Sequence, residues 1–485
     1  MNYAMIAYIL GTILKTEAVL LCLPSGVALV MGEGDFLPLA ATALGAGITG
    51  LLLTARKPQN TVIYAREGFV VTALSWIVMS LVGAVPFYAA GQIPSYLDAV
   101  FETVSGFTTT GASILTDVEA MPHGLLFWRS FTHWVGGMGV LVFLLAIVPL
   151  AGGRNVHIMR AESPGPVVGK LVPRVRDTAL ILYGIYIAMT LLLIVLLLLG
   201  GMPLYDSAVH AFGTAGTGGF GIWGDSIAHY DSAYIDVVLG VGMVLFGVNF
   251  NIYYLLLMGK FSSIWKSEEL RWYLGIITGA TVLIAWNTLP QWGSWLRSLR
   301  FAFFQVGSVI TTTGFATADF NLWPELSRML LMVLMLVGAC AGSTGGGMKV
   351  SRLIIMMKSA KREISRMLHP RSVYTLKFEG KPLENQTIYN TFSYFFILVG
   401  FIILSTLLVS LDNMDFDSTF SAVMACINNI GPGLGVVGPM GSYATLSGLS
   451  KLVLILDMLL GRLEIFPMMM LFAPNIWVTK RTQRI

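Results

Sequence analysis

The chain has 485 residues, of which 55% are hydrophobic and only 12% charged, with 30 basic against 26 acidic side chains and a formal net charge of +4. Soluble domains carry about 25% charged residues, so half that share excludes an ordinary water-soluble protein and makes lipid the solvent. The small net charge gives no sign of nucleic-acid binding, and Cys22, Cys340 and Cys426 fall in or beside apolar segments with neither disulfide nor metal spacing.

A helix of about 20 apolar residues spans a bilayer, and a sliding hydropathy window predicts about ten such spans. The first two, 2–31 and 36–54, form a two-helix N-terminal prefix over residues 1–54. The first reads as a span and not a cleaved signal, because Lys15 interrupts the apolar run and no basic segment precedes it. The remaining spans pair up: 68–90 with 125–150, 178–200 with 235–258, 271–288 with 327–352, and 391–411 with 448–478. They define units 68–150, 178–258, 271–352 and 391–478, with a basic connection at 353–390 between the last two.

Charge alternates between successive connections. Arg56, Lys57 and Arg66, then Arg154, Arg160, Lys170, Arg174 and Arg176, then the 349–381 run (Lys349, Arg352, Lys358, Lys361, Arg362, Arg366, Arg371, Lys377 and Lys381), and finally Lys480, Arg481 and Arg484 lie on one side. The intervening loops are acidic, with Glu33 and Asp35, Asp98, Asp117 and Glu119, Asp206, Asp225 and Asp231, Asp319 and Glu325, and Asp412, Asp415 and Asp417. The excess of Lys and Arg predicts that both termini and the basic loops face the cytoplasm, where anionic lipid headgroups or a protein partner meet them. The sequon at Asn385-Gln386-Thr387 adjoins a basic loop, the wrong side for glycosylation.

Each unit carries the same short segment between its two spans. These read Phe101-Glu-Thr-Val-Ser-Gly-Phe-Thr-Thr-Thr-Gly111, Val209-His-Ala-Phe-Gly-Thr-Ala-Gly-Thr-Gly-Gly219, Phe304-Gln-Val-Gly-Ser-Val-Ile-Thr-Thr-Thr-Gly314 and Ser421-Ala-Val-Met-Ala-Cys-Ile-Asn-Asn-Ile-Gly431. The half-hydrophobic stretch before each glycine is too short to span, so it reads as a re-entrant helix that enters from outside and turns back. Non-helical backbone at membrane depth is tolerated only when buried in protein or lining water, and four such turns satisfy this together by meeting on one axis. The predicted architecture is therefore an all-α polytopic membrane protein. It has four pseudo-repeated helix–pore-loop–helix units around one pore, four re-entrant pore helices, and the two-helix prefix.

The turns are neutral: Thr108, Thr109, Thr110 and Gly111; Gly216, Thr217, Gly218 and Gly219; Thr311, Thr312, Thr313 and Gly314; Asn428, Asn429, Ile430 and Gly431. Rings of backbone carbonyls replace the hydration shell of a monovalent cation, and glycine allows the positive φ that aims successive carbonyls into a pore. No carboxylate lies in a turn, against a divalent-selective ring, and no Lys or Arg, against an anion pore. Glu102 and the outer-loop acids are expected to concentrate cations at the mouth.

Two features interrupt the helices. The span 327–352 contains Gly338, Gly342, Ser343, Thr344, Gly345, Gly346 and Gly347, too glycine-rich for a regular helix. Lying below the third turn, it is expected to occlude the pore as a gate. Arg462, with Asp457 and Glu464 nearby, sits within the last span, where a charge must face the interior with a partner. It either bonds the freed carbonyls of 338–347 and adds a cation barrier, or forms a structural ion pair with Asp457 or a neighbouring helix.

These residues together resemble the Trk/Ktr/HKT potassium transporter superfamily. The prefix, the length and the run Gly461-Arg462-Leu463-Glu464 resemble its bacterial TrkH branch more than KtrB. The resemblance implies potassium uptake across the bacterial inner membrane, with K⁺ bound by the carbonyls just before Gly111, Gly219, Gly314 and Gly431. It implies a gate of the 338–347 loop and Arg462, and a homodimer docked on cytoplasmic TrkA-type subunits that bind nucleotide. The chain has no phosphate-binding glycine motif of its own, which leaves the nucleotide to the partner and no cofactor here. The turns lack TVGYG, so only moderate preference for K⁺ over Na⁺ is expected. A Na⁺-dependent Ktr-type subunit is one alternative; an unrelated secondary symporter is another, disfavoured because its repeats would be inverted. No cluster of catalytic side chains suggests an enzyme.

Overall fold

A computed structural model of the chain describes residues 1–60, 63–139, 175–371 and 374–473. The far end of the expected 125–150 span, the basic residues Arg154, Arg160, Lys170 and Arg174, and the tail from 474 on lie outside the described residues.

Apolar helices account for nearly all of the fold. The prefix is two helices, Tyr3–Met31 and Phe36–Thr54, antiparallel across the turn at Gly32. Its acids bind the first repeat. Glu33 accepts a hydrogen bond from the His123 amide (2.6 Å) and Asp35 from the Leu125 amide (3.0 Å). They satisfy orphan donors at the start of helix His123–Gly137, where negative charge also suits the helix dipole.

Every repeat then opens with a long helix: Ala65–Ala89, Val175–Leu199, Glu268–Trp292 and Asn385–Val409. A short helix follows and stops inside the protein: Tyr96–Phe107, Leu204–Gly216, Trp295–Ile310 and Phe416–Ile427. At 12 to 16 residues these are too short to cross a bilayer. Among the described residues six helices are long and apolar enough to cross a membrane, and a bent pair would make a seventh.

The closing helices of repeats 2, 3 and 4 are each broken, as the glycine-rich run predicted for the third but not for the other two. Helix Ala233–Phe246 breaks at Gly247 and resumes as Phe250–Leu257, bent by 93°. Helix Glu325–Val337 stops at Gly338, and helix Val350–Leu368 begins only after a loop. Helix Gly448–Arg462 breaks before Ile465–Phe472, with Glu464 at φ 53°. The hydropathy window averages over such breaks. Among the described residues the only strands form a small hairpin, Lys377–Phe378 paired with Lys381–Pro382, so the all-α reading stands.

Candidate ion pathway

The four short helices all end the same way. The amide of the residue before each key glycine donates five residues back, Thr110 to Ser105 O, Gly218 to Gly213 O, Thr313 to Ser308 O and Ile430 to Ala425 O, each 2.8 Å long. Backbone φ is positive at the glycine (Gly111 82°, Gly219 77°, Gly314 90°, Gly431 97°) and again two residues earlier (Thr109 54°, Thr217 55°, Thr312 61°, Asn429 55°). The glycine was legible in the sequence. The left-handed threonines were not, because β-branched residues seldom adopt that region; Asn429 enters it more readily.

The turns meet in a closed ring. A Cβ added to Gly111 would collide with the Gly218 carbonyl oxygen, and one on Gly219 with that of Thr313. One on Gly314 would collide with the Ile430 carbonyl, and one on Gly431 would lie 2.6 Å from the Thr110 carbonyl oxygen. Each glycine thus abuts the carbonyl that precedes the glycine of the next repeat, in the order 1–2–3–4–1. All four glycines line one outer vestibule of about 330 Å³. Helix C-termini aimed at the ring carry partial negative charge, which favours a cation there.

Glu102 does not behave as expected. Glu102 is buried, pairs with Arg129 Nε at 2.6 Å, and accepts from Ser113 Oγ and the Ile114 amide. Arg129 in turn donates to Gly221 O of repeat 2 (3.0 Å). This pair braces the first turn, and no carboxylate is among the described residues lining the vestibule. Other acids cap helices, as Asp415 does for Phe416–Ile427. Glu102 therefore does not face the mouth, although exposed Glu119 accepts from the Gly224 amide (3.4 Å) at the vestibule rim; the signal was ambiguous because the Glu102–Arg129 pairing is tertiary.

Beneath the ring lies the 338–347 loop. Gly346 N donates to Thr312 Oγ1 (2.6 Å). A Cβ at Gly345 would fall 2.8 Å from Thr311 O, and one at Gly346 2.7 Å from Asn428 O. Glycine is required here by close approach to the inner ends of turns three and four. Arg462 donates to Thr344 O (2.8 Å) and Gly136 O (2.6 Å), joining the loop to the end of the first repeat's closing helix. Of the two sequence readings, the one with freed carbonyls matches this geometry; Asp457 instead accepts from Ser405 Oγ at 2.8 Å. Lys349, which the sequence reading assigned only to the basic run, is buried within the same cluster and donates to Gly345 O. Arg352 pairs with Glu464 at 2.5 Å. The remaining cavity, lined by Trp76, Ser343, Lys349, Arg462 and Glu464 among others, holds about 30 Å³, room for a water or two and not for an ion with its shell.

Known proteins match along the whole chain. A family model described as TrkH, cation transport protein, covers residues 40–479. The Trk system potassium uptake protein TrkH of Salmonella typhimurium is 35% identical over 98% of this chain and 100% of its own length. The Trk system potassium uptake protein TrkG of Escherichia coli is 33% identical over 87% of each. The crystal structure of the potassium transporter TrkH from Vibrio parahaemolyticus superposes with a TM-score of 0.88 at 32% identity, over 99% of this chain and 100% of that one. With the four-turn ring, the broken closing helices and a match of this extent, the chain belongs to the TrkH family of cation transport proteins, membrane transporters and not enzymes.

Proposed function

We propose that this chain takes up K⁺ across the bacterial inner membrane through a carbonyl-lined filter. The filter comprises 108–111, 216–219, 311–314 and 428–431, with moderate preference for K⁺ over Na⁺. The 338–347 loop and Arg462 gate it. Both termini face the cytoplasm, the protein works as a homodimer, and a cytoplasmic TrkA-type nucleotide-binding subunit controls the gate.

The observation that carries this reading is the ring of four glycines, each abutting the next repeat's carbonyl beneath an outer vestibule whose described lining holds no carboxylate. Carbonyls of modest field strength, with no charged side chain in the four turns themselves, suit a dehydrated monovalent cation. The gate rests on the loop's contacts with Thr311, Thr312 and Asn428 and on the little space left below them. The topology rests on the alternation of basic and acidic connections. The regulatory partner rests on the names of the Trk-system relatives and on the absence of a nucleotide motif in this sequence.

Rubidium-tracer uptake into proteoliposomes tests the reading. Uptake driven by an ion gradient alone and competed by external K⁺ more than by Na⁺ is the expected result. Uptake that Na⁺ and K⁺ suppress equally would remove the filter assignment. No uptake even with the cytoplasmic partner added would remove the pore.

A further inference from the structure

The loop below the ring is held at both ends by a group that its own segment does not contain. Glu269, in the first turn of helix Glu268–Trp292, is buried. Its Oε1 accepts from the Ala341 amide (2.8 Å), near the start of the loop, and from the Ser351 amide (3.1 Å), just past its end. One carboxylate oxygen therefore closes the loop at its base. Charge-assisted bonds of this kind are the strong ones, and both donors are backbone groups that would otherwise be orphaned in a buried site.

Glu269 is itself positioned from outside the membrane. The hairpin turn Glu379-Gly380 has positive φ at both residues (50° and 75°), the geometry of a tight two-residue hairpin. There the exposed Glu379 accepts from Ser267 Oγ and from the Glu269 amide, each at 3.0 Å. Lys358, on the helix that leaves the loop, pairs with Glu268 at 2.5 Å and donates to Lys377 O of the hairpin at 2.8 Å. Leu376 and Phe378 anchor the hairpin in the core. The contacts run without interruption from an exposed hairpin in the basic connection, through the start of one helix, to both ends of the loop.

We propose that Glu269 is a positioning residue that latches the base of the 338–347 loop in its occluding position, and that the Glu379 hairpin is the handle through which displacement on that face releases it. The proposal rests on the gate reading above. Moving the hairpin by the length of a hydrogen bond withdraws Glu379 from the Glu269 amide, and the start of the helix shifts away from Ala341 and Ser351. Both loop ends then lose a bond together, which a single-ended tether would not achieve, and the ties of the Cys340 amide to Gly247 O (3.1 Å) and the Val350 amide to Ala339 O (3.0 Å) remain to limit the opening.

The test uses the full-length protein in proteoliposomes, with Glu269→Gln, Glu379→Gln and a shortened 342–347 loop compared by rubidium-tracer uptake and by amide hydrogen exchange. Glu269→Gln keeps shape and removes charge. It is expected to raise exchange in peptides covering 341–351 and to raise uptake severalfold, leaving exchange in the four short helices unchanged. Glu379→Gln, at an exposed position, should do the same to a smaller degree and keeps the test alive if the buried variant fails to assemble. Wild-type exchange at 341–351 and wild-type uptake in both Gln variants, with the shortened loop still raising uptake, would overturn the latch and leave the gate standing. Faster exchange throughout the protein without faster uptake would also overturn it, reducing Glu269 to a fold-stabilising residue. Unchanged uptake in the shortened-loop variant would overturn the gate reading itself.

Discussion

Replacing Arg462 by Ala removes two charge-assisted hydrogen bonds, to Thr344 O at 2.8 Å and to Gly136 O at 2.6 Å. Bonds to charged groups contribute about 1.5–3 kcal/mol each, so about 3–6 kcal/mol of loop anchoring is at stake. If all of it favoured the occluding position, the loop equilibrium would shift by roughly two to four decades. Several contacts survive, however. Lys349 still donates to Gly345 O, Gly346 to Thr312 Oγ1, and Ala341 to Glu269. The expected gain in flux is therefore on the order of tenfold, about 1.4 kcal/mol. Arg462→Lys separates the two ways the residue can act. A point charge without the planar fork restores an electrostatic barrier but cannot make both bonds at their present geometry. Its flux should lie between wild type and Ala if tethering dominates, and match wild type if charge alone does. Rubidium-tracer uptake per folded molecule, with thermal stability as control, reads the difference. Wild-type flux in a stably folded Arg462→Ala protein would refute the gating role.

Gly219→Ala places a methyl against the Thr313 carbonyl at φ 77°, a conformation that costs an L-residue roughly 1–2 kcal/mol. K⁺-over-Na⁺ competition, read per folded molecule, should collapse, with a fall in melting temperature because backbone of the ring must shift to admit the methyl. Arg129→Met leaves Glu102 buried without its cation; breaking a buried pair this way costs about 3–5 kcal/mol. The double variant with Glu102→Gln should recover part of that loss in thermal unfolding. Asp415 caps the fourth short helix and lies below the usual carboxylate range because Ser418 hydrogen-bonds its charged form. A depressed folded value means this stabilisation is present above the unfolded pKa of about 3.9 and is lost as pH falls through the folded value. Asp415→Ala should cost about 1 kcal/mol at neutral pH and flatten that acid limb of the stability profile.

The key glycines could be read from the sequence because their requirement is local. A Cβ at Gly111 or Gly314 meets a carbonyl at positive φ, and few other residues fit. The glycine-rich loop was legible for the same reason. What escaped the sequence depended on contacts across the fold. The break at Gly247 hides behind one glycine in an apolar run, and its buried carbonyl, freed from the helix, accepts from the Cys340 amide of repeat 3. Lys349 read as one charge in a basic run until the fold buried it under the ring. Glu102 read as a mouth acid because its partner Arg129 lies 27 residues away. Hydropathy reports average environment, and these residues are set by single partners.

The ring also explains why four unlike turns tolerate divergence. Three seams between repeats are supported by chain continuity as well as by contacts such as Arg129 to Gly221 O, Ile227 to Ala316 O and Gly435 to Asn321. The seam between repeats 4 and 1 has no connecting chain and must be held by contacts alone. Turn four departs from the Thr-rich pattern there. In turns one and three paired threonines bond within the turn, Thr108 with Thr110 at 2.8 Å and Thr311 with Thr313 at 2.7 Å. Asn429, which takes the place of Thr109 and Thr312, reaches across the seam, donating to Thr110 Oγ1 (3.0 Å) and to Met458 O (2.9 Å). Above it the Tyr443 amide bonds Ser113 O at 2.9 Å, and Lys451 pairs with Asp98 at 2.8 Å. A side-chain amide, longer than Thr and with two donors, suits a turn that must close the ring as well as line it. The Asn-Asn-Ile-Gly sequence of repeat 4 then reflects its position at the seam between repeats 4 and 1. It need not mark a weaker contribution to the ion path, because the backbone geometry at Asn429 and Gly431 matches that of the other three turns.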